Sequence, residues 1–510
     1  LEPPRDALSW ERIDSSMATS SVNSISSAEP GVAAIRKPVV RRADLLVLLL
    51  ASAALMVSWS FAVPIFECPD EPAHWQYAQY LRQTHSLPPY NHEFEEGNSP
   101  PLYYLLIAPL ATETQAPPSA FQYNADYTKI SLPFPPRYYQ NAPGDLGRYW
   151  PIRAARLVSI LVSLFTVWFC YLAGKEATGS AEIGLLVGGL VAFLPQFTFR
   201  GMNVSSDSLL TMFSAAATFL MIRLVTRGFA WRTGVLAALA IAGAFLSKTN
   251  AVFLPGTLAL AVLTDKAEWR TRILRTAALG ALILLIVAPW LIRNQYLYGD
   301  PLARKAMFTA VSDAIRVKPL FSRYFVKDFP VMLAASFVGD FGWLDIALPK
   351  WAYGMYGILF GLGGLLAARG FWRRQLDRRL LVVLLSAAVL NLMIVININL
   401  MFDSAQGRYM FPALPAIAVL LGLGAHSLGG WSRRRTWLTI GGLAAANVVI
   451  LTALIIPDYW PAPPRKVSRA DTGSSCAIHC PKPILQSVEA GSSSRRLEGR
   501  MPNAVQIASE

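Results

Sequence analysis

The residues able to do chemistry sit in a few short stretches that interrupt long apolar runs. The first is Glu67-Cys68-Pro69-Asp70-Glu71-Pro72-Ala73-His74-Trp75. Pro72 suits the first turn of a helix, and the spacing predicts one over Pro72 to Gln83, with Ala73, Tyr77 and Tyr80 on a shared face. Asp70 or Glu71 would then be an N-cap in water. On the same helix Asp70 and His74 stand four apart, a pair that can hold a proton or a divalent ion. Asp207 opens a later apolar run in Asn203-Val204-Ser205-Ser206-Asp207-Ser208, where alone it would be an ordinary cap. The cations are Lys248 in Leu246-Ser247-Lys248-Thr249-Asn250, Arg293 in Pro289-Trp290-Leu291-Ile292-Arg293-Asn294, and Arg408 in Gln406-Gly407-Arg408-Tyr409. Each could simply snorkel to lipid headgroups. As a set they offer more: carboxylates can take a proton from an acceptor hydroxyl, and Lys and Arg neutralise a phosphate leaving group.

What must position these residues is a membrane bundle. Of 510 residues 54% are hydrophobic and only 15% charged, with a mean hydropathy of +0.38. A soluble protein needs about a quarter of its residues charged, so much of this chain faces something other than water. Fourteen tryptophans and eighteen tyrosines suit two membrane–water interfaces. Apolar runs long enough to be span candidates fall at 43–66 and roughly at 155–174, 183–199, 207–225, 233–247, 251–264, 274–292, 353–369, 380–399, 409–428 and 437–456. These eleven ranges predict an all-α polytopic membrane protein.

Orientation follows from the basic residues, which are retained on the cytoplasmic side. With the N-terminus inside, that side holds Arg223/Arg227/Arg232, Lys266/Arg270/Arg272/Arg275, Arg369/Arg373/Arg374/Arg378/Arg379 and Arg433/Arg434/Arg435. The short outer turns hold one cation each: Arg200, Lys248 and Arg408. Merging 233–264 into one span would invert everything after it. The net charge of +14 is thereby an orientation signal, satisfied by membrane lipids, and calls for no nucleic acid.

This topology divides the chain into a disordered cytoplasmic segment 1–42, a membrane domain 43–456 and an outer, mostly disordered tail 457–510. Two long outer loops, 67–154 and 293–352, are too short to be independent domains and are expected to pack on the bundle. Within the first, Pro101 to Ala111 reads as an interfacial helix with Tyr103 and Tyr104 at headgroup level. Cys170 reads as buried packing. Cys476 and Cys480 flank His479 in the tail, where an oxidising compartment permits a disulfide. Asp70, Glu71 and Asp207 share the outer face with Lys248, Arg293 and Arg408, the equipment for moving a group off a lipid phosphate.

In order and spacing these segments resemble the GT-C superfamily of membrane glycosyltransferases. The matching motifs are P-D-E-P-A-H-W (69–75), S-P-P-L-Y-Y (99–104), L-S-K-T-N (246–250), P-W-L-I-R-N with Y-G-D-P (289–301), F-G-W (341–343) and Q-G-R-Y (406–409). They span most of 43–430 and look closest to a bacterial branch of predicted membrane proteins, related to the protein mannosyltransferases and aminoarabinose transferases. The resemblance implies a GT-C-like bundle of about 11 transmembrane helices in the plasma (inner) membrane, with its active site and C-terminus extracytoplasmic. It implies an inverting transfer from a polyprenyl-phosphate-linked sugar to an acceptor glycan, lipid or protein. Asp70 would be the general base beside Glu71, with His74 and Asp207 in support and Lys248, Arg408 and Arg293 on the donor phosphate. Some members use a divalent cation, so Mg or Mn on Asp70, His74 and Asp207 is an open expectation. The large C-terminal soluble domain of some members is lacking, which leaves protein glycosylation unspecified. A transporter or flippase for a lipid-linked glycan, or a non-catalytic component of envelope polysaccharide assembly, is the alternative. A transporter would be expected to carry ionisable residues along the bundle interior and inverted repeats; here they gather at one face.

Overall fold

The computed structural model describes residues 42–91, 94–112, 149–310, 315, 317–402 and 404–460. Helices account for almost all of the regular structure. In chain order they are α1 (Arg42–Ala62), α2 (Glu71–Thr84), α3 (Leu102–Ile107), α4 (Trp150–Thr178), α5 (Ala181–Ala192), α6 (Pro195–Gly201), α7 (Ser206–Arg227), α8 (Trp231–Ser247), α9 (Leu254–Leu263), α10 (Trp269–Tyr298), α11 (Arg304–Ala310), α12 (Phe329–Val338), α13 (Lys350–Trp372), α14 (Arg378–Asn399), α15 (Leu414–His426) and α16 (Arg433–Ile450). The described residues contain one two-stranded hairpin, β1 (Asp340–Phe341) antiparallel to β2 (Ile346–Ala347).

All eleven expected apolar ranges fall on helix, but not all as single spans. By length and composition eight described helical segments can cross a membrane: 42–62, 150–178, 206–227, 269–298, 350–372, 378–399, 407–426 and 433–459. The range 183–199 is a pair, α5 and α6, bent by 69°. Pro195 is the cause. It starts α6 and leaves Leu194 extended, as the residue before a proline prefers. The ranges 233–247 and 251–264 are shorter helices. They part at Lys248, whose backbone is extended (φ −160°, ψ 137°). This is an all-α membrane bundle with a set of partial helices, and the number eleven does not emerge as a count of full-length spans.

The bundle is organised on α4, which packs along α5, α7, α1 and α15. Cys170 is buried in it as a free thiol, as expected. A second core joins the loop after α1 to the bundle: Phe66, Trp75, Tyr77, Tyr103 and Tyr104 pack with Ile152, Val162 and Val204. The described parts of that loop therefore sit on the bundle. The tyrosines expected at headgroup level are corrected: both are fully buried. Their hydroxyls explain this, since Tyr103 bonds Ser159 Oγ at 2.7 Å and Tyr104 bonds His74 Nδ1 at 2.8 Å. A buried tyrosine needs such a partner. The segment 1–41 and the tail from 461, with Cys476, His479 and Cys480, lie outside the described residues.

Candidate active site

α1 ends at Ala62, and the eight residues from Val63 to Asp70 turn back over the bundle before α2 begins. Two of them, Phe66 (φ 68°) and Asp70 (φ 67°), are non-glycine residues in the left-handed region, a conformation that needs outside support. The support is Arg156 of α4. Its Nη1 donates to Ser60 O (2.9 Å) and Val63 O (2.8 Å), and its Nη2 to Pro64 O (2.9 Å). Its Nε and Nη2 form a bidentate pair with Glu71 at 2.7 and 2.6 Å. All five guanidinium donors are thus used. Glu71 also accepts from Phe66 N at 2.8 Å and Val204 N at 3.3 Å. Both side chains are fully buried. From the other side, Trp343 in the hairpin donates to Phe66 O at 3.1 Å. Glu71 is therefore occupied in the frame of the loop rather than open to a substrate.

The frame leaves Asp70 facing a cluster of cations. Asp70 is the N-cap position of α2, yet its side chain makes no capping bond; the expectation of an ordinary cap fails. Instead Arg408 Nη2 meets its Oδ2 at 2.5 Å. Arg408 Nη1 lies 3.7 Å from Asp207, which is itself held by Lys248 Nζ (2.7 Å) and Arg200 Nη2 (3.0 Å). Arg200 also reaches Pro69 O at 3.3 Å. Two carboxylates thus meet three cations, and Asp70 is the accessible member, its side chain 34% exposed against 5% for Arg408. Burial works to raise the Asp70 carboxyl, but Arg408, then Arg200, His74 and Lys248, outweigh it and hold the group down at about 2. Arg408 Nε and Nη1 and Arg200 Nε are buried donors with no hydrogen-bond partner among the described residues. Such orphans are costly in an interior and suit an anion.

His74 lies beside this cluster with both ring nitrogens engaged, Nδ1 with Tyr104 OH and Nε2 with Ser205 Oγ at 3.2 Å. Burial pushes its pKa below the usual 6.5, so at neutral pH it is an uncharged link. Arg293, expected on the phosphate, donates to Pro88 O at 2.9 Å and stacks over Trp290 at 5.0 Å, on the side of the site where its charge reaches Tyr77. Among the described residues no three His, Cys, Asp or Glu side chains are grouped to hold a metal ion. The donor set around Asp70, His74 and Asp207 fits a dication poorly, because the carboxylates are taken by cations and the cluster carries surplus positive charge. The sequence motifs missed Arg200, Glu96, Tyr104 and Ser205 as members of the site.

This is a cation-rich pocket at the end of a membrane bundle, one partly open carboxylate at its rim. Residues 149–292, which carry Arg156, Arg200, Asp207 and Lys248, match the family described as dolichyl-phosphate-mannose-protein mannosyltransferase. That match covers less than a third of the chain. No curated protein matches this chain. Among solved structures it is similar to ArnT from Cupriavidus metallidurans bound to undecaprenyl phosphate, at 14% identity and a TM-score of 0.46, over 82% of this chain and 74% of that one. It is similar to the oligosaccharyltransferase AglB from Archaeoglobus fulgidus in complex with an inhibitory peptide and a dolichol-phosphate, at 14% identity and 0.48, over 80% and 55%. The S. cerevisiae protein O-mannosyltransferase complex bound to the sugar donor follows at 15% and 0.33, over 54% and 34%.

Proposed function

We propose that the enzyme is an inverting glycosyltransferase that moves a sugar from a polyprenyl phosphate to an acceptor hydroxyl on the extracytoplasmic side of the plasma membrane. The observation that carries this is Arg408, a buried guanidinium bound to Asp70 with two donor nitrogens, Nε and Nη1, left without a hydrogen-bond partner among the described residues. A donor phosphate fits those donors and the neighbouring Lys248, and as it draws Arg408 away, Asp70 loses the partner that most depresses it. The acceptor O–H then attacks the anomeric carbon and Asp70 takes its proton. The bond from that carbon to the phosphate oxygen breaks, and polyprenyl phosphate leaves with its charge on Arg408 and Lys248. A base at about 2 is weak, so coupling its release to donor binding matters to the mechanism.

The apolar tail has a fitting place beside this cluster. A groove of about 1100 Å³ is lined by Phe325, Phe329, Phe337, Phe360, Leu392 and Met410, among others. Met410 belongs to the same tight turn, Gly407–Ala413, that carries Arg408. The reading is tested by incubating purified protein with a radiolabelled polyprenyl-phosphate sugar. Transfer or donor hydrolysis, lost in Arg408→Ala, is expected. Accumulation of intact donor across vesicles, with neither reaction, would replace the enzyme by a transporter.

A further inference from the structure

Glu96 is a carboxylate for which the reaction above has no task. It lies between α2 and α3 in a tight turn closed by Gly97 N to Phe94 O (2.9 Å) and Ser99 N to Glu96 O (2.8 Å). A Cβ at Gly97 would run into the backbone of Pro89 and Tyr90, so the turn is seated on that strand of chain. One oxygen is pinned: Oε2 accepts from Ser99 Oγ at 2.5 Å and from Tyr104 OH at 3.4 Å, with His74 Nδ1 3.9 Å away. Tyr104 is in turn fixed by flat stacking on Tyr77, ring centroids 3.6 Å apart. The other oxygen, Oε1, accepts no hydrogen bond from the described residues. The side chain is 17% exposed, largely withdrawn from water but open on one side.

Its surroundings restrict what the free oxygen can take. His74 links it to Ser205, whose hydroxyl also meets Arg200 and the Asp207 backbone N–H. After Asp207, Glu96 is the carboxylate whose field Lys248 feels most. Glu96 thus borders the phosphate pocket, yet makes no ion pair with an Arg or Lys among the described residues. An ionised carboxylate accepts hydrogen bonds only and repels phosphate. Its ligand must be a hydrogen-bond donor placed next to the phosphate, and the group so placed in a glycosyl phosphate is the sugar.

We infer that Glu96 is the specificity-determining carboxylate of the donor site, accepting hydrogen bonds from hydroxyl groups of the transferred sugar. This rests on the donor reading proposed above, and the test separates the two. Binding of bare polyprenyl phosphate and of its mannose, glucose and galactose esters would be measured on the full-length protein in detergent, for wild type, Glu96→Gln and Glu96→Ala. Wild type is expected to bind at least one ester more tightly than the bare lipid. Both variants should lose that preference by roughly tenfold or more, the scale of one hydrogen bond to a charged group, with affinity for the bare lipid undiminished or raised as the repelling charge is removed. Undiminished bare-lipid binding also reports an intact fold. A preference that survives in both variants overturns the inference, as does a wild type that prefers no ester. So does a variant that loses the bare lipid as well, which would make Glu96 structural. Failure of wild type to bind even bare polyprenyl phosphate overturns the donor reading itself.

Discussion

In the proposed reaction Asp70 serves because it is accessible and because its charge is held in check. With Arg408 at 2.5 Å its carboxyl is held at about 2, so at neutral pH it is always ionised and, in the resting protein, a reluctant base. Asp70→Asn should lower kcat by about 10²–10⁴, the usual contribution of a positioned base, while donor affinity is retained or improved because Arg408 is set free. Turnover kinetics with donor titration check both halves, and undiminished kcat would remove Asp70 from that role. His74 gives a pH prediction with a definite sign. Its folded pKa is pushed below 6.5 by burial, so below that pH the unfolded chain binds a proton that the native one resists, and stability rises with pH in this window. Unfolding of the solubilised protein should therefore come at lower temperature as pH falls from about 7 to below 6.5, and His74→Gln should flatten the trend. At this scale Asp70, Asp207, Lys248 and Arg408 were legible, because ionisable residues at the ends of apolar runs are costly without a purpose. Arg200 was not: as a single cation in an outer turn it resembled one more headgroup contact. Glu96 sits in a turn with no periodicity to mark it.

At the scale of elements, the central fact is that the adjacent acids of the D-E pair have opposite fates. Pro72 and the apolar spacing led to a helix at 72–83, and α2 is there at Glu71–Thr84. What the spacing could not show is the left-handed turn at Asp70, which swings that carboxylate toward Arg408 while Glu71 points down to Arg156 of α4. The partner of Glu71 is 85 residues away, and long-range pairing leaves no local trace. Removing either partner leaves an uncompensated buried charge, so Glu71→Gln or Arg156→Ala should cost about 3–5 kcal/mol. Thermal unfolding in detergent would show it, and replacing both residues by leucine and methionine should cost less than either single change. The break between α8 and α9, by contrast, was foreshadowed: the runs 233–247 and 251–264 are each shorter than the roughly twenty residues a span needs, and the two helices part at the extended backbone of Lys248.

For the whole molecule, the distribution of charge and the distribution of empty apolar space point the same way. The acids and cations of the site gather at one end of the bundle, and the basic clusters around Arg227, Arg270, Arg374 and Arg434 lie at the connections at the other. The large groove opens between α12, α13 and α14. It was invisible in the sequence, since its walls come from Leu320 to Ile417 and no motif joins them. If it takes the donor tail, its shape should matter for long lipids and not for the chemistry at Asp70. Gly357 of α13 is the place to ask. It lines the groove, and a Cβ there would meet nothing within 4 Å, so a larger side chain can enter without disturbing the helix packing. Gly357→Phe should therefore raise KM for a long polyprenyl donor by about tenfold, equivalent to losing burial of one or two methylene groups. For a short-chain donor that never reaches the groove, KM should stay unchanged, and kcat at saturation should stay unchanged for both. Equal KM effects on the two donors would place the tail elsewhere, because only contact along the groove can distinguish lipids that carry the same phosphate and sugar.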